Sequence, residues 1–209
     1  MERFPIRVTL LANAGVLIRY RGVSLLLDGI FGQKDNPFSP LPEGCREAML
    51  RGEPPFQELD YLLFSHYHPD HFAPEMVRGL LERRPVRGLF YPRDDAPEVR
   101  QLSGWLRQEV IPCVLLSHKT DRAVIQIEPH ISVQAFMTAH LGQEYRDVPH
   151  ACYLLTFDGR RVLFTADTDY LYETLSHLSG THLDAVFLNP LFYQACFNRR
   201  LFRGYFDTD

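Results

Sequence analysis

Short apolar and β-branched runs recur along the chain, separated by turn-forming residues. Six or so consecutive positions of this kind, closed by Gly, Asn, Asp or Pro, read as strands. The segments 6–11, 15–20 and 23–28 are the first three, with Arg21-Gly22 as the tight turn between the second and third. Residues 60–65 read as a buried strand and 86–91 as another. Residues 113–116, 123–128 and 132–138 follow as consecutive strands. Residues 151–157 and 161–165 flank Asp158-Gly159, a dipeptide that favours the two-residue hairpin. Residues 184–188 are the last clear strand.

Helical spacing appears in fewer places. Met76, Val77, Leu80 and Leu81 share one face of a helix over 74–84. A second amphipathic helix covers 97–108 and carries the only tryptophan, Trp105; a third, short one is expected at 171–178. Residues 29–55 are rich in Pro, Gly and Asn and read as a long loop, with one helical turn around 46–51. Strands outnumber helices and come mostly in hairpin order. The pattern therefore predicts an α/β or α+β layered sandwich, not a regularly alternating sheet.

Composition narrows the classes. The chain has 209 residues, of which 45% are hydrophobic and 23% charged, enough to build one core and too apolar for a disordered chain. A single domain over 1–209 is the expectation. The formal net charge of −4 gives no global basic field, so nucleic acid is not the expected partner. No apolar run reaches the roughly 18 residues of a membrane span, and Met1–Pro5 has no signal-peptide core. A cytoplasmic location follows as the default. Cys45, Cys113, Cys152 and Cys196 form no C-x-x-C pair and read as free thiols.

The chemistry concentrates in Ser65-His66-Tyr67-His68-Pro69-Asp70-His71. In an extended segment residues two apart point the same way, so His66 and His68 can reach one ion. Pro69 turns the chain, and Asp70 and His71 can then face a second ion. Imidazole and carboxylate suit Zn²⁺, and also Fe or Mn. Two ions about 3.5–4 Å apart can activate a water for attack on an ester, amide or phosphodiester. The competing expectation is a solvated histidine-rich loop. No G-x-S-x-G, G-x-x-x-x-G-K-[ST] or G-x-G-x-x-G is present, which removes the main support for serine hydrolase, P-loop and dinucleotide readings.

The H-x-H-x-D-H motif at His66, His68, Asp70 and His71 resembles the signature of the metallo-β-lactamase fold superfamily. The likeness extends over roughly residues 6–190. Residues 8–18 resemble the family's opening hairpin, and Leu25-Leu26-Leu27-Asp28-Gly29 its first motif, whose aspartate usually holds the metal loop by hydrogen bonds. Phe136–Gly142 resembles the third motif and Leu163–Asp169 the fourth. The resemblance implies a four-layer αβ/βα sandwich of two mixed sheets flanked by helices, short at the C-terminal end. It implies one ion held by His66, His68 and His140, and a second held by Asp70 and His71, with Asp167 bridging. It also implies a metal-dependent hydrolase, in which metal-bound hydroxide cleaves an ester, lactone, amide or phosphodiester bond of a small-molecule substrate. Asp70 is then both ligand and catalytic residue. His150, beyond the loop that starts at His140, is the candidate proton donor to the leaving group. Zn²⁺ is the expected cofactor, as one or two ions.

Two departures qualify the resemblance. Ala166 stands where the family usually has Gly, and no histidine follows His182, which precedes the last strand and does not match the family's late ligand. The second site is thus expected to be one ligand short, with the chain naturally short, truncated, or completed by a partner subunit. A non-catalytic metal-binding domain and an iron-dependent oxidoreductase are the alternative readings. Residues 196–206 mix basic and aromatic residues, as a single-strand-binding or oligomeric edge does.

Overall fold

The computed structural model describes residues 4–32, 38–169 and 176–188. The chain divides into two compact units, 1–117 and 118–209. The expected basic and aromatic tail at 196–206 and most of the expected helix at 171–178 lie outside the described residues.

The first unit is built on a six-stranded sheet in the order β1-β2-β3-β4-β5-β6, with strands at Arg7–Leu11, Gly15–Tyr20, Val23–Leu27, Tyr61–Leu63, Gly88–Pro92 and Cys113–Leu116. The first three are antiparallel neighbours and the last three add in parallel, so the sheet is mixed. Arg21 and Gly22 both adopt positive φ, 51° and 79°. That is the left-handed geometry a two-residue hairpin needs to match strand twist. Strands β4 and β5 are buried along their whole length, as central parallel strands are.

Three helices accompany this sheet: α1 Glu43–Arg51, α2 Pro74–Leu81 and α3 Pro97–Gln108. Proline opens α2 and α3 at the first turn, where its missing N–H costs nothing. Val77, Leu80, Val99, Leu102 and Leu106 pack into one core with Leu17, Leu26, Leu62, Leu89 and Tyr91 of the strands.

Two expectations shift. The single turn around 46–51 is a nine-residue helix, because Cys45, Ala48 and Met49 form an apolar stripe against this core. Gly52 ends it with φ 68°. The strand expected over 60–65 leaves the ladder after Leu63, since the Ser65 N–H is taken by the side chain of Asp28.

The second unit carries a five-stranded sheet in the order β11-β10-β9-β8-β7. Its strands are β7 Val124–Glu128, β8 Ile131–Thr138, β9 His150–Phe157, β10 Arg160–Phe164 and β11 Ala185–Phe187. Only the β10–β11 pair is parallel. Asp158 and Gly159 make the expected tight turn, with φ 48° and 84°. Phe136, Cys152, Leu154, Leu163 and Leu178 form a core in this unit. Two mixed sheets with helices are what the family resemblance implies, and they agree with the α/β or α+β class that the strand-rich pattern predicts.

Candidate metal centre

Asp28 ends β3 in the left-handed region, with φ 43° and no exposed surface. A non-glycine residue pays for that conformation, and Asp is among the few that adopt it. Its carboxylate organises the histidine loop between β4 and α2. Oδ1 accepts the Ser65 N–H at 2.7 Å, and Oδ2 accepts the Ser65 hydroxyl at 2.5 Å. Oδ2 also lies 2.8 Å from Nδ1 of His71.

These bonds fix ring tautomers. The Ser65 hydroxyl spends its only proton on Asp28, so its oxygen must accept from Nδ1 of His66, 2.9 Å away. The Nδ1–H of His71 donates to Asp28 in the same way. Both rings therefore carry their lone pair on Nε2. Nε2 of His66 lies 2.9 Å from Nδ1 of His68, and Nε2 of His71 lies 3.4 Å from Oδ2 of Asp70. His66, Asp70 and His71 are buried and His68 is half-buried. Electron-pair donors converge here, with two carboxylates, Asp28 and Asp70, on either side of His71.

Backbone bonds hold the loop in register. The Phe72 and His71 N–H groups donate to the His68 carbonyl at 3.0 Å, forming the turn that Pro69 was expected to impose. Gly32 donates to the Pro69 carbonyl and Ala73 to that of Ile30, which ties the loop to the chain after β3. Phe64 stacks on Phe72 with ring centroids 4.2 Å apart, closing the apolar side. Asn13, in the turn between β1 and β2, donates from its amide to Oδ2 of Asp70 at 3.1 Å.

The second unit repeats the arrangement on a smaller scale. Nδ1 of His140 lies 2.6 Å from the Leu141 carbonyl, which can only accept, so Nδ1 carries the proton. Its Nε2 faces Oδ2 of Asp167 at 3.7 Å. His140 is buried and Asp167 half-buried. The segments that carry them are joined directly: His140 bridges Thr168, Leu141 N–H donates to the Asp167 carbonyl at 2.8 Å, and Asp169 N–H donates to that of Ala139 at 2.7 Å.

His150, the candidate proton donor, lies inside the second unit. The ring is fully buried at the start of β9. Its Nε2 accepts the Asp167 N–H at 3.2 Å and its Nδ1 lies 2.7 Å from the Thr138 hydroxyl. Both ring nitrogens thus meet groups of its own unit. His182 is 73% exposed, 3.8 Å from Asp184, and stands apart from these donors. Asp169 is half-buried beyond the fourth-motif turn.

The donor set fits a transition metal. A lone pair on Nε2 beside a carboxylate oxygen suits a shared cation, and Nε2 of His71 and of His140 are each placed this way, beside Asp70 and Asp167. Nδ1 bonded to a carboxylate, hydroxyl or carbonyl is the outer support that metal-binding imidazoles use. Histidine and carboxylate oxygen suit Zn²⁺, Fe and Mn. Sequence reasoning picked out the ligand types and missed Asn13, Ser65, Thr138 and Thr168 as their supports. Ser65 adjoins the histidine motif, and Asn13, Thr138 and Thr168 lie within the other family-like segments, at 8–18, 136–142 and 163–169.

No protein-family model and no curated protein matches the sequence. Solved structures do. CmlA, a diiron β-hydroxylase from Streptomyces venezuelae, is similar over 88% of this chain, with TM-score 0.60 and 21% identity. A possible metal-dependent hydrolase from Veillonella parvula aligns over 88% with TM-score 0.63 and 12% identity. A putative metal-dependent hydrolase from Parabacteroides distasonis aligns over 81% with TM-score 0.55 and 16% identity. The chain spans 34% of the CmlA chain, 71% of the Veillonella chain and 64% of the Parabacteroides chain. YhfI from Bacillus subtilis, described as a metallo-β-lactamase-fold protein, aligns over 84% with TM-score 0.54 and 21% identity. The fold expected from the motifs is thus the fold observed: the chain carries the metallo-β-lactamase fold.

Proposed function

We propose that the protein is a metal-dependent hydrolase of a small-molecule ester, lactone, amide or phosphodiester. In this reading His66, His68 and His140 would hold one ion, Asp70 and His71 would contribute to a second, and Asp167 would serve both. The observation that supports it is the tautomer pattern: His66, His71 and His140 are each held by Nδ1–H, which puts the lone pair on Nε2. Zn²⁺ is the first choice of metal.

When bound, the metal would lower the pKa of a coordinated water and polarise the scissile carbonyl or phosphoryl oxygen. The chain's own part is placement. Asp28 and Ser65 orient the rings of His66 and His71, Asn13 holds the Asp70 carboxylate, and the Leu141 carbonyl orients His140. Substitution of His68 by Ala should abolish hydrolysis and leave the fold intact. Retained turnover in a folded His68→Ala protein contradicts the assignment.

A second reading is an iron-dependent oxidoreductase. The likeness to a protein described as a diiron β-hydroxylase favours it, as do the carboxylates Asp70 and Asp167, which suit iron. Iron in place of zinc in the purified protein, with oxygen consumption, selects this reading; zinc with ester or phosphodiester turnover selects the first.

A further inference from the structure

We infer that His150 is a positioning residue that locks the strained turn carrying Asp167, and so sets where the Asp167 carboxylate points. The inference rests on the assignment of Asp167 as a metal ligand.

The turn spans Thr165 to Thr168, closed by the Thr168 N–H donating to the Thr165 carbonyl at 3.2 Å. Its second residue, Ala166, has φ 45° and is buried. The left-handed region is disfavoured for a residue with a Cβ, which crowds the following carbonyl oxygen. Such a conformation persists only where its surroundings over-determine it. Ala166 has no side chain that could hold it there.

Backbone bonds hold the flanks of the turn, from Leu141 N–H to the Asp167 carbonyl and from Asp169 N–H to the Ala139 carbonyl, and His150 adds the side-chain restraint on the Asp167 N–H. A backbone N–H can only donate, so the 3.2 Å contact with the Asp167 amide makes Nε2 of His150 the acceptor. The ring is then neutral with its proton on Nδ1, which donates to the Thr138 hydroxyl at 2.7 Å. That hydroxyl donates onward to Thr168 Oγ1 at 3.2 Å. The Thr168 hydroxyl spends its proton on the Thr165 carbonyl at 2.7 Å. The chain of donors runs in one direction from the Asp167 amide back to the first residue of the same turn. Both ends of the turn are gripped through one buried imidazole, and no member has a spare proton to reverse it.

The ring is thus specified by its Nε2 lone pair, a property that glutamine can reproduce and asparagine cannot. Glutamine at this position places Oε1 near the Nε2 site; asparagine ends near Nδ1, one bond short of the Asp167 amide. Zn²⁺ titration of the metal-stripped protein, with amide exchange at Asp167 measured without metal, tests this. The expected result is about a tenfold or greater loss of zinc affinity and faster Asp167 exchange in His150→Asn. His150→Gln should stay within a few-fold of the unsubstituted protein in both readouts. If His150→Asn fails to fold, Thr138→Val carries the test, because it removes the acceptor of the His150 Nδ1–H at 2.7 Å and should weaken zinc binding with faster exchange. Equal zinc affinity and equal exchange in the Asn and Gln proteins, or in Thr138→Val and the unsubstituted protein, overturns the inference while leaving the metal reading intact. No tight binding of zinc, iron or manganese by the unsubstituted protein overturns the metal reading and this role together.

Discussion

Oδ2 of Asp28 lies 2.8 Å from Nδ1 of His71, a contact between residues 43 apart in the chain. The same oxygen accepts the Ser65 hydroxyl, and through it the tautomer of His66 is fixed. One buried carboxylate at the end of β3 therefore prepares two of the proposed ligands.

Asp28→Asn should break this arrangement without changing side-chain volume. The amide brings an N–H against groups that are already donors: the Ser65 N–H, the Ser65 hydroxyl or the His71 Nδ1–H. Stability should fall by about 1–3 kcal/mol, the range for a buried polar group left without its partner. Metal affinity should fall about 10–100-fold, as for other outer supports of metal ligands. Chemical denaturation and metal titration of the same preparation check both.

Ser65→Ala should separate the two rings. It removes the relay to His66 and leaves the direct Asp28–His71 bond in place. Loss of metal should then fall mainly on the site that His66 serves. Competition titration resolving two binding steps would reveal it; equal weakening of both steps counts against the relay.

Ala166→Gly should relieve the left-handed turn that precedes Asp167. Glycine removes the Cβ cost and adds unfolded-chain entropy, so the net gain is about 1 kcal/mol or less. A rise in the denaturation midpoint with an unchanged slope is the expected result. A fall in the midpoint would mean that Ala166 is held by packing and carries no strain.

Burial pushes the Cys152 thiol from its ordinary 9.0 up to about 12. The thiol stays protonated in the fold and ionises more readily in the unfolded chain. A raised folded-state pKa contributes stability that is fully present below pH 9 and is lost as pH rises from 9 towards 12. The slope is about 1.4 kcal/mol per pH unit in that window. Cys152→Ala should flatten the alkaline decline between pH 9 and 11 in denaturation curves. Cys152 should also resist alkylation in the native protein, while the exposed Cys113 reacts.

The strands were readable because their signals are local. The Asp158-Gly159 pair and the short apolar runs depend on neighbours in sequence, and those elements stand within a residue or two of expectation. Helix α1 was underestimated for a physical reason: its apolar stripe is interrupted by charged residues and enclosed by Pro and Gly, so its stability comes from packing on a distant core. The ligand motif was readable because four donors sit within six positions. Its supports were not. Nothing adjacent in sequence says that Ser65 spends its proton on Asp28, or that Thr138 takes one from His150. His150 shows the limit most clearly, since a loop histidine and a fully buried one are the same letter until the strand it begins is packed.

Among the described residues no helix is long and apolar enough to cross a membrane. The most direct measurement is metal content per chain by plasma mass spectrometry, on untagged protein purified without chelator, beside His66→Ala and Asp167→Ala. The account predicts at least one tightly held transition metal per chain, approaching two when zinc is supplied, and a loss in each variant. Protein that is folded, supplied with zinc, iron and manganese, and still retains none after dialysis would contradict it.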